Sequence, residues 1–423
     1  MQTQVTRSNF RHLYADIFWY GVLAGSIVAF LAVYAARLGA SSFQVSLLTA
    51  IPALVNLLFS LPFGRWMEGR TLVRVSFWSA FWQRMGYFLL IPLPWLFSES
   101  LQAWVLVLIT LVMYIPGTLL AIGFNATLAD VVPPELRSEV VGKRNAIQAF
   151  SLVTTSLLCG QLLDLLPFPG NYQVVFTIGA LGGALSTYNL YRLTPPDHTP
   201  SRIGRPLQDF ARPGVSRIIE GTGLSAGLRF LTRSHGQALI RIDLLRGSFG
   251  SFMAAYLFLY LSQYFSSPLF PLFLVRGIHL TDGEISLGNA ILYGAMLLAS
   301  LNLKRISTRF GHRHVLVASG LVFFSYPLLL GLATDARLYW VASATAGVIW
   351  ALISGAILNR LMERVPGNDL PAHMALHNLV MNLGILTGAL LSPVAAEWIG
   401  LREAILAAAG LRLLGGIFLL IWG

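Results

Sequence analysis

The sequence predicts an all-α membrane protein: twelve transmembrane helices in two six-helix pseudo-repeats, joined by one long basic connection. Three observations predict it. Of 423 residues, 56% are apolar and 11% charged, whereas about a quarter of a soluble protein's residues are charged. Apolar windows long enough to cross about 30 Å of hydrocarbon recur along the whole chain. Basic residues alternate between sparse and dense connections, so the net charge of +11 has a topological meaning before any other. Water-soluble enzymes, nucleic-acid-binding modules and secreted disulfide scaffolds are excluded. The connections are short, and the one cysteine, Cys159, sits in an apolar run as a small core residue with no internal partner.

In order, the windows cover 13–36, 43–63, 75–97, 102–128, 146–166 and 172–191, then 248–275, 284–302, 314–332, 338–360, 372–395 and 404–422. The first is too long for a signal-peptide core, lacks the preceding basic cluster and is followed by another span, so it reads as mature helix 1. Lys and Arg before helix 1 and in loops 2-3, 4-5, 6-7, 8-9 and 10-11 number 23, against four (Arg37, Arg276, Arg337 and Arg402) in the opposite set, with Arg84 and Arg412 inside spans. That asymmetry predicts an integral plasma (inner) membrane protein with both termini cytoplasmic. The pI then gives no support to nucleic acid as a partner.

Residues 1–193 form the N-terminal six-helix bundle, 194–246 a cytoplasmic central loop and 247–423 the C-terminal bundle. The loop carries Pro195, Pro196, Pro200, Pro206 and Pro213 before an amphipathic helix. There Leu224, Leu228, Leu231, Leu239, Ile242 and Leu245 keep three-to-four spacing and Arg229, Arg233 and Arg241 take the other face, as in a helix lying on anionic headgroups.

The halves repeat. An offset of 240 sets Ser41, Gln44, Val45, Ser46 and Leu47 on Thr281, Glu284, Ile285, Ser286 and Leu287. An offset of 233 sets Asp130, Val132, Pro133 and Asn145 on Glu363, Val365, Pro366 and Asn378. Parallel six-span repeats belong to transporters whose site lies near the midplane between the halves.

With three local patterns added, the chain resembles the major facilitator superfamily over essentially its whole length. Leu38-Gly39-Ala40-Ser41-Ser42 leading to Gln44-Val45 is similar to the family's short outer loop, and Ala129-Asp130-Val131-Val132-Pro133-Pro134-Glu135-Leu136-Arg137 to its loop 4-5. Its loop 2-3 signature survives in part, as Gly64, Glu68 and Arg70, and again as Arg309, Gly311 and Arg313. The Gly-Pro pair of the proton-antiporter signature in helix 5 is missing, since Leu157-Leu158-Cys159-Gly160-Gln161 stands there. Drug efflux by that subfamily's route is less expected. The resemblance implies alternating access, with helices 1, 4, 7 and 10 lining a central cavity.

No nucleotide-binding loop, zinc-ligand cluster or nucleophile elbow is present in the sequence, so no catalytic residue, metal or cofactor is expected and gradients must drive transport. Informative residues are then polar groups inside spans. Helix 1 carries Asp16, Tyr20, Phe30 and Tyr34 on one face, helix 4 Tyr114, Thr118 and Asn125, helix 7 Tyr256, Tyr260, Gln263 and Ser267, and helix 10 Trp350 and Ser354. From these, Tyr20, Asn125, Tyr260, Gln263 and Trp350 are the expected substrate-binding residues, suited to a partly aromatic or hydroxylated molecule. The competing reading is belt or helix-packing tyrosines, and it is preferred for Tyr34. Pro116-Gly117, Pro268 and Pro271 read as kinks, with gating hinges as the sharper version.

Arg84 and Arg412 lie near mid-membrane with no acidic residue at matching depth. They would suit an organic anion, but bonding to backbone carbonyls or snorkelling is preferred. His373 and His377 share a face at the start of helix 11 and have a pKa suited to proton handling; loop-facing side chains without a coupling role are preferred. Arg70 with Asp130, and Arg309 with Glu363, are candidate gate pairs. Asp16 is the proton-coupling candidate, against the preferred account of an ordinary helix-end acid held by the helix dipole and Arg11.

The expected function is secondary-active or facilitative transport of a small organic solute, with proton coupling left open. Alternatives are an amphiphile, lipid or drug exporter and, from another class, a non-transporting receptor or scaffold that keeps the fold. Expected partners are the solute, membrane lipids and, if coupled, protons; the chain is expected to be a monomer. The topology has a direct check. Of the single variants Asn9→Cys, Gly204→Cys, Gly367→Cys, Gly39→Cys, Ser98→Cys and Asp335→Cys, only the last three should react with an impermeant thiol reagent added outside intact cells, and labelling at Gly204 would defeat the topology.

Overall fold

A computed structural model describes residues 2–67, 69–194, 242–365 and 370–423. Of the central-loop helix expected over 224–245, only Ile242–Leu245 is described, as a 3-10 turn; the rest, with Glu68, Gly204, Pro366 and Gly367, lies outside the described residues. All regular structure among the described residues is helical, as a chain in hydrocarbon requires when each strand edge would leave backbone groups without water.

Twelve spans follow one another. α1 runs Gln2–Leu23, passes through a π-helical turn at Ala24–Val28 and continues as Ala29–Arg37. Then come α2 (Ser42–Trp66), α3 (Leu72–Phe88), α4 (Glu99–Val131), α5 (Arg137–Leu165) and α6 (Gly170–Tyr191). In the second half are α7 (Ser248–Gly277), α8 (Asp282–Phe310), α9 (His312–Leu332), α10 (Ala336–Arg364), α11 (Leu370–Ile399) and α12 (Leu401–Trp422). Ten are long and apolar enough to cross a membrane on their own account. The other two are α3, only 17 residues long, and α6.

Proline explains two departures from the windows. Helix 3, expected to reach 97, stops at Phe88 and resumes only as the single turn Leu93–Leu96. Pro92 and Pro94 have no N–H to donate and disfavour helix in the residue before them. α7 is interrupted between Ser266 and Leu269, where Pro268 stands. α4 instead stays helical through Pro116.

The 240-residue repeat has a physical origin at the starts of α2 and α8. Ser41 Oγ accepts from Gln44 N at 3.2 Å while Ser41 N donates to Gln44 Oε1 at 2.8 Å. Thr281 Oγ1 accepts from Glu284 N at 3.2 Å while Thr281 N donates to Glu284 Oε2 at 2.9 Å. Both are capping boxes, which satisfy orphan N–H groups reciprocally. Gly39, with φ of 82°, supplies the left-handed residue that ends α1 just before the first box.

Each half packs mainly on itself, α1 against α5 and α6, α3 against α4, α7 against α11 and α12, α8 against α10, while α2–α11 and α5–α8 are the principal contacts between halves. Small residues bring these helices close. A Cβ added at Gly160 of α5 would collide with Ser286 of α8, and one at Gly388 of α11 with the backbone of α7.

We term the face carrying both chain ends terminal and the opposite face distal. On the distal side one apolar core joins both halves, with Phe30, Tyr34, Tyr172 and Phe176 packed in the same cluster as Leu272, Phe273, Ile285 and Tyr339. Elsewhere the clusters divide. Leu13, Val73, Leu128 and Leu190 belong to one N-half cluster, and Tyr256, Leu316, Ile353 and Met381 to one C-half cluster that takes only Ala53 from α2.

Two glycines give opposite expectations. Gly160→Val should lower thermal stability in detergent by about 1 to 3 kcal/mol through overpacking at α5–α8. Gly142 has nothing within 4 Å of an added Cβ, so Gly142→Ala should be neutral or stabilise by up to about 1 kcal/mol. Equal effects would remove the close-approach argument.

Candidate functional site

Asp16 is not a helix-end acid. α1 begins at Gln2, and Asp16 is 3% exposed inside the N-half. Its Oδ2 accepts from Arg144 Nη2 of α5 at 3.2 Å, its Oδ1 accepts from Ser186 Oγ of α6 at 2.6 Å, and Arg84 Nη2 of α3 lies 3.9 Å away. Arg84 therefore does have an acid at its depth, contrary to the sequence expectation. The apolar window begins at residue 13, but the polar residues before it are helical too, which carries Asp16 deep into the bundle. Arg84 also donates from Nη1 to Thr187 Oγ1 at 3.0 Å, and Arg144 from Nε to Leu13 O at 3.3 Å. One carboxylate thus ties α1, α3, α5 and α6 together, between two guanidiniums that are 5% and 4% exposed.

The C-half holds its buried arginine differently. Arg412 of α12 donates from Nη2 to Gln263 O at 3.1 Å and to Ser266 Oγ at 2.9 Å. Its guanidinium lies 4.4 Å from the Phe323 ring and 5.7 Å from the Phe270 ring. The break at Pro268 leaves α7 carbonyls without their usual donors, and Arg412 answers one of them. Aromatic faces take the place of a counter-ion.

His373 and His377 are not loop-facing: each is 6% exposed. α11 starts at Leu370, so both lie in its first two turns on the face that meets α7. His377 Nε2 is 3.2 Å from Tyr260 Oη, and the His373 ring stands edge-on to Phe249 at 4.5 Å. By the repeat offsets Tyr20 corresponds to Tyr260, Asp16 to Tyr256 and Arg144 to His377. The position that carries an ion pair in one half carries tyrosine and histidine in the other.

The five expected substrate residues divide two and three. Tyr20 of α1 is half-buried, with the Arg84 guanidinium 5.9 Å from its ring. Asn125 of α4 is half-buried and donates from Nδ2 to Ala121 O at 3.2 Å. Tyr260 is buried against His377, and Gln263, one turn further along α7, is half-buried. Trp350 of α10 stacks on Phe323 with ring centroids 6.2 Å apart, so its face is turned into the C-half. Sequence reasoning misses Arg144, Ser186 and Thr187 as site residues. Hydropathy sets Arg144 among the loop charges, although Arg144, Gln148 and Ser151 already keep helical spacing.

At the terminal face Arg70 is exposed, donates from Nε to Trp66 O at 2.8 Å and lies 4.0 Å from the Trp66 ring. Asp130 is half-buried near the end of α4, where Arg137 donates to Ala129 O at 2.7 Å and Val132 O at 3.1 Å. Arg309 is exposed with its guanidinium 5.4 Å from the Phe310 ring. Glu363 accepts from Arg360 Nη1 at 3.0 Å and lies 4.0 Å from His312 Nε2.

The family profile described as Major Facilitator Superfamily matches residues 17–261 and 252–423. Among solved structures, the nucleoside transporter NupG superposes with a TM-score of 0.64 at 13% identity, over 98% of this chain and 98% of that one. A point mutant of the same transporter gives 0.64 at 14% identity, over 98% and 99%. The human organic anion transporter MFSD10 (TETRAN) gives 0.56 at 15% identity, over 99% of each chain. No curated protein sequence matches the chain. At these identities the structural likeness is one of fold.

The Asp16 cluster predicts a stability effect. Removing one partner of a buried ion pair costs about 3 to 5 kcal/mol, so Asp16→Asn, which strands two guanidiniums, should lower the unfolding temperature in detergent markedly. Asp16→Asn combined with Arg84→Met should recover part of that loss. A single variant as stable as the parent would show that the cluster does not brace the N-half.

Proposed function

The chain belongs to the Major Facilitator Superfamily, and on that premise we propose that it carries a small organic solute across the plasma (inner) membrane by alternating access between its two six-helix halves. The observation that carries this reading is the uneven packing of the halves, fused through one apolar core on the distal side and divided into separate clusters elsewhere. With the basic residues placed inside by their 23 to 4 distribution, the distal face is the outer one and the described state is closed to the outside.

Its solute sits between Tyr20 and Asn125 on one side and Tyr260 and Gln263 on the other, with Trp350 as a further wall. Tyrosine faces favour a ring, and two side-chain amides offer both donor and acceptor. His377 behind Tyr260 fixes how that hydroxyl is presented. Nucleosides and organic anions are the first compounds to try, because the like-folded NupG and MFSD10 are transporters of those classes. The bonds of Asp16 to Arg144 and Ser186 favour a structural pin over a proton carrier. A carrier would lose accumulation in Asp16→Asn while keeping counterflow; a pin would lose both along with stability. The transporter acts as a monomer.

Uptake and counterflow in proteoliposomes test the function, after a thermal-shift screen of both compound classes, since a ligand of the native state raises its apparent stability. With a hit in hand, Gln263→Ala and Asn125→Ala should each weaken binding by about 1 to 3 kcal/mol. Unchanged affinity in both would move the site elsewhere, and absence of any transport would favour a receptor or scaffold.

A further inference from the structure

Each half reaches across the distal face with one arginine. Arg37, at the end of α1, donates from Nη2 to Leu280 O at 2.6 Å and lies 3.3 Å from Asp282 Oδ1. Arg276, near the end of α7, donates from Nη2 to Ala40 O at 2.7 Å and to Ala36 O at 2.9 Å. The offset of 240 that superposes the capping boxes also carries Ala40 onto Leu280. Each arginine therefore grips the carbonyl immediately before the other half's N-cap residue, Ser41 or Thr281. The acceptors are equivalent and the donors fall one position apart, Arg37 on Gly277 and Arg276 on Ala36, so the two bonds are reciprocal and run in opposite directions.

Their surroundings differ in charge. On the α8 side Asp282, 6% exposed, accepts from Tyr172 Oη at 2.9 Å as well as from Arg37, and Asp164 of α5 accepts from both Thr281 Oγ1 and Gly283 N at 3.0 Å. By the same offset Asp282 falls on Ser42 of α2, which carries no charge. One arm thus places two carboxylates at the positive end of α8, and the other places a cation on the carbonyls that end α1, where the helix dipole is negative.

We propose that Arg37 and Arg276 are the two arms of one distal latch, whose reciprocal bonds set the proportion of molecules closed on that face. The proposal rests on the alternating-access reading and goes beyond it by naming the residues that hold closure. Two features separate this set from the Asp16 cluster. Its bonds join the halves rather than helices of one half. And the Arg37 side chain is 27% exposed, with Arg276 also exposed, so water replaces the lost partners when the halves part. Opening then avoids stranding a dry charge, which makes these contacts reversible where the Asp16 contacts are not.

The test needs no substrate. Spin labels attached through Ser100→Cys in α4 and Arg337→Cys in α10, both exposed at the distal face and outside the latch, report the separation of the halves by pulsed dipolar spectroscopy in lipid nanodiscs, with Cys159→Ser as background. Expected is a dominant short distance in the parent and growth of a longer one in both Arg37→Ala and Arg276→Ala. The long-to-short ratio should rise on the order of tenfold for each, as loss of a charge-assisted hydrogen bond implies. Arg276→Lys and Asp282→Asn, which remove fewer bonds, should rise less and keep the proposal testable if an alanine variant fails to fold. A parent with two populations whose ratio ignores all four substitutions would overturn the latch and leave alternating access standing. A single short distance in every protein would overturn both, and a response to one arginine alone would overturn the reciprocal arrangement.

Discussion

Hydrocarbon offers no partner to a charge or an open backbone group, so whatever the helices leave unsatisfied must be answered by the protein itself. In this chain arginine repeatedly gives the answer. Arg137 takes the carbonyls of Ala129 and Val132 where α4 ends, Arg402 those of Gly331 and Ala333 where α9 ends, and Arg412 that of Gln263 where α7 breaks. A guanidinium has five donors and a long stem, so it can reach the last turn of a neighbouring helix while its methylenes stay in apolar packing. Several residues that a hydropathy reading would count only as loop charge are thus helix terminators supplied by another part of the chain.

The twelve spans and the division into halves are legible because each depends on local sequence: apolar length, prolines, and the repeat that sets Ser41 and Gln44 on Thr281 and Glu284, whose role as capping boxes only the structure shows. What escapes is set by depth and by neighbours. Hydropathy marks where a helix becomes apolar and says nothing of where it starts, so Asp16 reads as an end residue although it lies well inside α1. The same error hides its meeting with Arg84, since matching depths requires both helix origins. His373 and His377 read as loop-facing because they stand at the very start of the apolar window of α11, and only packing against α7 shows that they are turned inward. Residues 195–241 of the central loop, the most distinctive stretch by composition, lie outside the described residues.

The halves share a scaffold and differ in how they are braced. Where α1 meets α5 there is an ion pair, and where α7 meets α11 the corresponding positions hold Tyr256, Tyr260 and His377. An ion pair shielded from water is costly to separate, whereas a hydroxyl–imidazole contact is a single neutral hydrogen bond worth about 1 kcal/mol. At this junction the N-half is accordingly braced by charge, and the C-half by hydroxyl, ring and imidazole contacts.

The π-helical turn at Ala24–Val28 changes what α1 presents. A wider turn takes up nearly one extra residue, which rotates everything beyond it by roughly 100° relative to an unbroken helix. On a regular helix Asp16 and Tyr20 would share a stripe with Phe30 and Tyr34, as the spacing alone predicts. Beyond the turn Phe30 and Tyr34 are fully buried in the distal core, Tyr34 donating to Gln102 Oε1 at 2.8 Å; before it Asp16 is buried in the ion cluster and Tyr20 is half-buried. α1 is therefore a helix with two addresses. Its first part is held by the ion cluster and its second by the seal, both against α6, and the turn between them sets the phase of one relative to the other.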